Sequence, residues 1–107
     1  MYDITYTVTT SNGSSINKIE YMNGKAELIK LSNVSSPWTI NIRVRAGLAL
    51  EAAAYNDIPY NSSLSIHAAW TPEGGFKNQE SERMPNDTPN SKILNGKVEI
   101  SGRTLAD

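Results

Sequence analysis

The chain has 107 residues, with ten Lys or Arg against eleven Asp or Glu, one His and no Cys. This length suits a single domain spanning residues 1–107, and a near-neutral charge without a basic block argues against nucleic-acid binding. The lack of Cys excludes disulfides, thiolate chemistry and Cys-based metal sites. Ser, Thr and Asn make up 31 residues, a composition that suits turns and solvent-exposed strand faces better than helices.

The N-terminal region alternates between apolar and polar residues with a period of two, which is typical of half-buried β-strands. The first predicted strand ends at a turn that contains Asn12-Gly13. The second strand ends at Asn23-Gly24, a dipeptide that favours a type I′ hairpin turn, and the return strand covers roughly residues 25–31. The apolar positions of the first two strands are Tyr2, Ile4, Tyr6, Val8, Ile19 and Tyr21.

The stretch "NVSSPWTINIRV" (33–44) places a large aromatic residue directly after a proline, at the entrance of the clearest amphipathic strand. Pro37 cannot donate a backbone hydrogen bond, so it belongs at a strand entrance or a bulge. Trp38 then shares a face with the alternating apolar residues that follow it. We therefore expect Trp38 to be mostly buried, with a loss of about 3–5 kcal/mol on replacement by Ala. The expected core residues of this region are Pro37, Trp38, Ile40, Ile42 and Val44.

The next segment, "LALEAAAY" (48–55), is compatible with two structures. Its alanines would suit two helical turns, whereas a strand would place Leu48, Leu50, Ala52 and Ala54 on one face. The surrounding strand patterns favour the strand. Further on, Leu64, Ile66, Ala68 and Trp70 alternate again, and "KILNGKVEI" (92–100) predicts a hairpin around Asn95-Gly96.

Residues 71–91 contain three prolines, two glycines and only Phe76 and Met84 as large apolar residues. This segment has no useful period, so the sequence predicts a long loop, either functional or disordered, before the C-terminal hairpin. Taken together, the elements predict an all-β fold. The expected architecture is an immunoglobulin-like antiparallel β-sandwich of about seven to eight strands with one long loop.

The strand pattern with "NVSSPW" at its centre resembles the extracytoplasmic β-sandwich domain of the mycobacterial MmpS proteins. It is also similar to small Bacteroidetes lipoproteins with the same domain. The loop at 71–91 departs from that family, in which a nearly continuous strand leads into the final hairpin. The matching positions are Tyr6, Val8, Thr9, Ile19, Tyr21, Asn33, Val34, Pro37, Trp38, Gly47, Leu50, Ala52, Asn95, Gly96 and Lys97.

The resemblance implies a non-enzymatic accessory protein of the bacterial cell envelope, periplasmic or on the cell surface, that acts by protein–protein contact. It implies an unidentified protein partner in the envelope. The family's membrane-anchoring leader has no counterpart in this sequence, so membrane attachment would need a lipid anchor or leader outside it.

Catalytic and metal-binding patterns are weak in this sequence. His67 is the only histidine, and its register predicts a position on the outer face of a strand. Glu80, Glu82 and Asp87 could in principle bind calcium, but they lack the spacing of an EF-hand loop. No phosphate-binding loop, serine elbow or pair with metal-ligand spacing is present. We therefore expect no catalytic residues, no metal site, no cofactor and no enzymatic activity.

Four aromatic residues near strand ends or in loops are candidates for partner or ligand contact: Tyr55, Tyr60, Trp70 and Phe76. They could instead cap the core and line strand ends. An exposed edge strand is an equally good way to recruit a peptide or another sandwich. Two alternative functions remain open, a carbohydrate- or lipid-binding module and a structural domain of a phage or secretion assembly.

Overall fold

A computed structural model describes residues 2–45, 49–72 and 78–103 of the chain. These residues form eight strands in two four-stranded antiparallel sheets that pack face to face, with no helix among them. The predicted all-β sandwich is therefore confirmed. The strands are β1 (Tyr2–Thr10), β2 (Ile16–Met22), β3 (Leu28–Val34), β4 (Trp38–Val44), β5 (Ala49–Pro59), β6 (Ser62–Pro72), β7 (Asn78–Asn86) and β8 (Lys92–Arg103).

The first sheet has the strand order β4-β1-β6-β7, and the second has the order β3-β2-β5-β8. In the first sheet, β1 lies between β4 and β6, so that Tyr6 is opposite both Ile40 and Ala68. The inner faces of both sheets carry the apolar residues that the period of two selects. The buried apolar residues are Tyr2, Ile4, Tyr6, Val8, Ile16, Ile19, Tyr21, Val44, Ala52, Ala54, Ile58, Leu64, Ile66, Ala68, Ala69, Val98 and Ile100.

The hairpin between β2 and β3 is present, but its turn is not of type I′. That type needs positive φ at both central residues, whereas in this connection Ala26 has the positive φ (60°) and Gly24 does not. The side chain of Asn23 organises the turn, since its Oδ1 accepts the N–H groups of Lys25 (2.9 Å) and Glu27 (3.0 Å). A Cβ on Gly24 would collide with the carbonyl oxygen of Arg43, so this position needs glycine because the hairpin end packs against β4.

The described part of this segment, residues 49–55, forms a strand, as the surrounding pattern favours. It is the first half of β5, in which Ala52 and Ala54 are buried between the sheets. Small side chains suit this position because β5 is an inner strand of its sheet, between β2 and β8. Leu48 lies outside the described residues.

The hairpin predicted at Asn95-Gly96 is wrong, since both residues lie within the single long strand β8. Asn95 does adopt the left-handed conformation that suggested a turn (φ 50°). It does so where the register between β5 and β8 shifts, and its N–H donates to Oδ1 of Asp57 (3.0 Å). The preference of Asn-Gly for positive φ is thus used here in a β-bulge and not in a chain reversal.

The loop predicted for residues 71–91 is also wrong in its larger part, because residues 78–86 form β7 and pair with β6. Residues 73–77, including Phe76, lie outside the described residues. β7 lacks an apolar period because it is an edge strand whose inward positions opposite Ile66 and Ala68 are Glu82 and Glu80. Inward-pointing charge on an edge strand is a known protection against unwanted strand pairing.

The buried side chain of Asn86 connects the end of β7 to the start of β8. Its Nδ2 donates to the carbonyl oxygens of Ile58 (3.0 Å) and Ser91 (3.2 Å). Its Oδ1 accepts the N–H of Thr88 and the hydroxyl of Ser91, both at 3.1 Å. The amide therefore fills its hydrogen-bonding capacity within the protein and holds the 86–91 connection in place.

We predict that Asn86→Ala lowers the free energy of unfolding by about 2–3 kcal/mol, because it leaves the buried carbonyl of Ile58 and several partly buried groups without their hydrogen bonds. Urea denaturation followed by circular dichroism measures the change. The adjacent Asp87→Ala is the control, since Asp87 is exposed and a surface change of this kind stays within about 0.5 kcal/mol. Equal stabilities of the two variants would contradict the assigned role of Asn86.

Candidate functional site

The two long sides of the sandwich differ in how well they are closed. At one side, β7 and β8 approach each other closely. There the backbone N–H of Glu99 on β8 donates to Oε1 of Glu82 on β7 (3.4 Å). The edges of both sheets therefore protect each other on this side.

The opposite side is formed by the edge strands β3 and β4, whose backbones are farther apart than those of β7 and β8. In the described part of the chain, β3 pairs with β2 alone and β4 with β1 alone. Their inward-facing apolar side chains pack against the core but remain partly exposed. We call this surface the open side. It consists of the edge of β3, the edge of β4 from Trp38 to Ile42, and the partly exposed side chains of Ile29, Leu31, Val34, Trp38, Ile40 and Ile42; at Arg43 the hairpin end at Gly24 packs against the β4 backbone.

A chain of three aromatic rings leads from the core to the open side. The ring centroids of Tyr6 and Tyr21 are 6.3 Å apart, and those of Tyr21 and Trp38 are 5.5 Å apart. Both pairs are tilted, within the range of favourable aromatic contacts. Tyr21 belongs to the second sheet and the other two rings to the first, so this chain joins the sheets. Trp38 is thus a partly buried residue at the rim of the core.

The hydroxyl of Tyr6 is buried at the inner end of this chain. Burial raises the pKa of Tyr6 to about 12. The nearby backbone of Glu51 lowers the pKa slightly, yet no described group makes a hydrogen bond of good geometry with the hydroxyl. A buried hydroxyl without a partner costs free energy, so it is the aromatic ring of Tyr6 that stabilises the fold.

The open side carries positive charge. Between Leu28 and Arg45, the sequence contains Lys30, Arg43 and Arg45 and no Asp or Glu. Two carboxylates from neighbouring strands lie close to these cations. Asp3 Oδ1 is 3.7 Å from Nε of Arg43, and Glu20 is opposite Lys30 across β2 and β3. The side chains of Arg43 and Asp3 are 56% and 73% exposed, so their pairing is weak in water.

Pro37 was expected in the core and is exposed instead. It lies in the short connection between β3 and β4 and follows a cis peptide bond after Ser36. The connection is held by Ser36, whose Oγ accepts the N–H of Thr10 at the end of β1 (2.9 Å). The other expected core residues lie on the inner faces, with Trp38, Ile40 and Ile42 only partly buried because β4 is an edge.

Tyr55 lies in a shallow depression of about 270 Å³ on the outer face of the second sheet. Two lysines approach its ring, with Nζ of Lys18 at 5.1 Å and Nζ of Lys97 at 5.5 Å from the centroid. Each ammonium also pairs with a carboxylate, Lys18 with Glu20 at 2.9 Å and Lys97 with Glu99 at 3.2 Å. The pairing lowers the pKa of Glu20 and raises that of Lys97. The ring is therefore already engaged in cation–π contacts.

The other aromatic candidates do not join Tyr55. Tyr60 is 48% exposed at the turn between β5 and β6. Trp70 is on the inner face of β6 and packs against the core, and Phe76 lies outside the described residues. The structure thus brings no two of the described candidates together. The structure does assemble the open side. Sequence analysis could not predict this surface, because its exposure depends on the order of the strands. The "PW" pair at the entrance to β4 is the one feature of the sequence that points to it.

His67 lies on the outer face of the first sheet, between Thr7 on β1 and Ser81 on β7. Within residues 2–45, 49–72 and 78–103, no three His, Cys, Asp or Glu residues are close enough to hold a metal ion. The same residues include no helix that could cross a membrane.

Comparison with protein-family models, curated proteins and solved structures finds no match for this chain. The class of protein is therefore defined by the fold and the site alone. Its described residues form an antiparallel β-sandwich of eight strands with one protected side and one open side.

We predict that Trp38→Ala lowers the free energy of unfolding by about 3 kcal/mol, because it removes a large partly buried ring and its contact with Tyr21. Trp38→Phe keeps a ring against Tyr21 and should cost about 1 kcal/mol. Guanidinium denaturation of the three proteins measures both values. A loss below about 1 kcal/mol for Trp38→Ala would show that the ring does not stabilise the fold.

We predict that the stability of the protein falls between about pH 10 and pH 12. The pKa of Tyr6 is higher in the folded state than its ordinary value of 10.0, so in this range the unfolded chain releases the proton first and ionisation favours unfolding. The full effect of a two-unit shift is about 2–3 kcal/mol. Tyr6→Phe should be at least as stable at pH 7 and lose less stability above pH 10. Urea titrations at pH 7 and pH 11 test this, and a large loss for Tyr6→Phe at pH 7 would show that the hydroxyl has a stabilising partner.

Proposed function

We propose that this protein is a non-enzymatic β-sandwich that acts through protein–protein contact, and that the contact is made at the open side. The single observation that supports the proposal is the pair of edge strands, β3 and β4, each of which pairs with a single neighbour in the described residues and is flanked by partly exposed apolar side chains, six in all. Alternate residues of an edge strand direct unpaired N–H and C=O groups away from the sheet. An extended segment of a partner can pair with such an edge by strand addition.

The difference between the two sides strengthens this argument. β7 has Pro85 within the strand and charged residues at inward positions, and Glu82 occupies a backbone N–H of β8. These are the features by which edges are protected from pairing. From Trp38 to Ile42, β4 has no proline and its inward residues are apolar, while the hairpin end at Gly24 covers the edge only at Arg43. An edge without protection next to exposed apolar surface is expected where pairing serves the function.

The cellular setting is part of the proposal. The "NVSSPW" resemblance to MmpS-type and lipoprotein sandwiches is the reason to assign the protein to a bacterial cell envelope, where its partner would also be found. The immunoglobulin-like relationship likewise remains a prediction. The order β4-β1-β6-β7 and β3-β2-β5-β8 differs from the A-B-E-D and C-F-G arrangement of immunoglobulin constant domains, so the proposal depends on the open side and not on that relationship.

The alternative of a carbohydrate-binding module has less support. Such a module would use an exposed aromatic face as a stacking platform, and the ring of Tyr55 is approached by Lys18 and Lys97. Tyr60 is exposed on its own at a turn. No observation favours the alternative of a phage or secretion assembly.

Site-specific photo-crosslinking tests the proposal with a matched pair of positions. Thr39 and Ser81 lie in one cross-strand row of the first sheet, Thr39 on β4 and Ser81 on β7, and both are exposed. A photoreactive residue replaces each in turn, and the folded protein is irradiated in an envelope extract of the source organism. We expect a discrete crosslinked partner from position 39 and none from position 81.

Two further variants test whether the contact is made at the open side. Ile40→Lys places a charge on its apolar row and should abolish the crosslink from position 39, whereas Glu80→Lys on β7 should leave it unchanged. Circular dichroism confirms that each variant is folded. Crosslinks of equal yield from both positions, or only from position 81, would contradict the assignment of the contact to β4.

A further inference from the structure

We infer that a polar depression beside the turn between β1 and β2 binds a neutral sugar ring through hydrogen bonds. The depression has a volume of about 330 Å³, at the small end of the range for ligand pockets, so it suits a single ring. Its walls come from the β1–β2 turn, the end of β5 and the first residue of β8. It shares no residue with the open side, and the inference does not depend on the proposed function.

The buried side chain of Asn56 is the centre of this site. Asn56 is 5% exposed and occupies an inward position of β5, in one row with Ala54 and Ile58, where a polar group costs free energy unless it is hydrogen-bonded. Its Oδ1 accepts the N–H of Asn17 (3.2 Å), which continues the connection of β2 to β5 beyond the pair formed by Lys18. Its Nδ2 has no acceptor among the described residues, and the side chain lines the depression. Half of a buried amide is therefore available to a ligand.

Asp57 and Lys92 add an acceptor and a donor to the same depression. Oδ1 of Asp57 accepts the N–H of Asn95 (3.0 Å), whereas Oδ2 is 3.7 Å from Nζ of Lys92. That separation is too long for a hydrogen bond. Oδ2 of Asp57 and Nζ of Lys92 therefore keep hydrogen-bonding capacity for a ligand.

The turn between β1 and β2 forms a wall whose backbone is held in place. Oγ1 of Thr10 donates to the carbonyl oxygen of Ser14 (2.7 Å), and Oδ1 of Asn12 accepts the N–H of Ser14 (3.1 Å). Ser14 and Ser15 both line the depression, and their hydroxyl groups have no hydrogen-bond partner among the described residues. A wall that is ordered before binding loses little conformational entropy when a ligand arrives.

The charges around the depression favour a neutral ligand. The charged side chains that line it, Asp57 and Lys92, have opposite signs. An anion would lie beside the carboxylate of Asp57 and a cation beside the ammonium of Lys92, so a net charge of either sign is disfavoured.

The hydrogen-bonding groups favour a ligand that carries several hydroxyl groups. A hydroxyl group donates one hydrogen bond and accepts two. Neighbouring hydroxyls of one sugar ring can therefore accept from Nδ2 of Asn56 and Nζ of Lys92 and donate to Oδ2 of Asp57. This mode of binding differs from stacking on an exposed aromatic ring, since no aromatic side chain of the described residues lines the depression. Because these hydrogen bonds replace hydrogen bonds to water, we expect weak binding, in the millimolar range.

Titration followed by NMR tests the inference with matched sugars. Glucose and galactose are each compared at pH 6 with the uronate and the amino sugar of the same ring, which are negative and positive. We expect a saturable shift of the side-chain amide signal of Asn56 with at least one neutral hexose. Its uronate and its amino sugar should bind about threefold more weakly or worse.

Two substitutions of the same kind provide the matched comparison. Asn56→Asp replaces the Nδ2 donor but keeps the oxygen that accepts the N–H of Asn17, and it should weaken binding of the neutral hexose about tenfold. Asn41→Asp on the outer face of β4 is exposed and lies outside the depression, so it should leave binding unchanged. Binding to each variant is followed at the backbone amides of Asn17 and Asn95, and circular dichroism shows that it is folded.

A second variant guards against misfolding, because Asn56→Asp buries a carboxyl group. Lys92 is exposed, so Lys92→Ala should remain folded and weaken binding about threefold. Tighter binding of a uronate or an amino sugar than of its parent hexose would overturn the neutral ligand. Unchanged binding in Lys92→Ala and folded Asn56→Asp, or no saturable shift at Asn56 with either hexose well above millimolar concentration, would overturn the site. The crosslink from position 39 tests the proposed function independently of all these results.

Discussion

The contact of Tyr21 with Tyr6 and Trp38 is the interaction on which the arrangement of the two sheets depends. The rings come from β2, β1 and β4 and meet between the sheets. The chain has only eight aromatic residues and a hydrophobic fraction of 38%, so few large side chains are available to fill the space between two faces about 10 Å apart. Small alanines on β5 suit the middle of the second sheet, and the rings concentrate near β4. Because β3 and β4 are outer strands of their sheets, the inner side chains on this side remain incompletely covered.

Sequence analysis predicted the strands correctly where a strand has one solvent-exposed face and one buried face. There the period of two identifies both the strand and its inner residues, as Tyr6 and Ile19 show. It failed for β7 and β8 for a different reason in each. Edge strand β7 has charged residues at inward positions, so the signal of burial is absent. In β8, Asn95 has the left-handed backbone conformation that is typical of a turn, but it adopts this conformation at a bulge. A local dihedral preference therefore does not reveal whether the chain reverses direction.

The candidate site could be predicted only in part. The apolar row that begins at Trp38 follows from alternation, and the proline before it marks the strand entrance. The openness of that row depends on β4 and β3 being the outer strands of their sheets, which is a property of the whole topology. The same limit applies to Pro37, whose exposure is set by the path of a three-residue connection. Residue types thus identify the inner face, and strand order decides which part of it meets solvent.

Under the proposed function, the two sides of the sandwich together would determine how selective strand addition is. Backbone hydrogen bonds to a free edge supply affinity that depends little on sequence, and alternating apolar side chains are common to most strands. Discrimination must therefore come from features that oppose the wrong partner. The protected β7–β8 side removes one site of indiscriminate pairing.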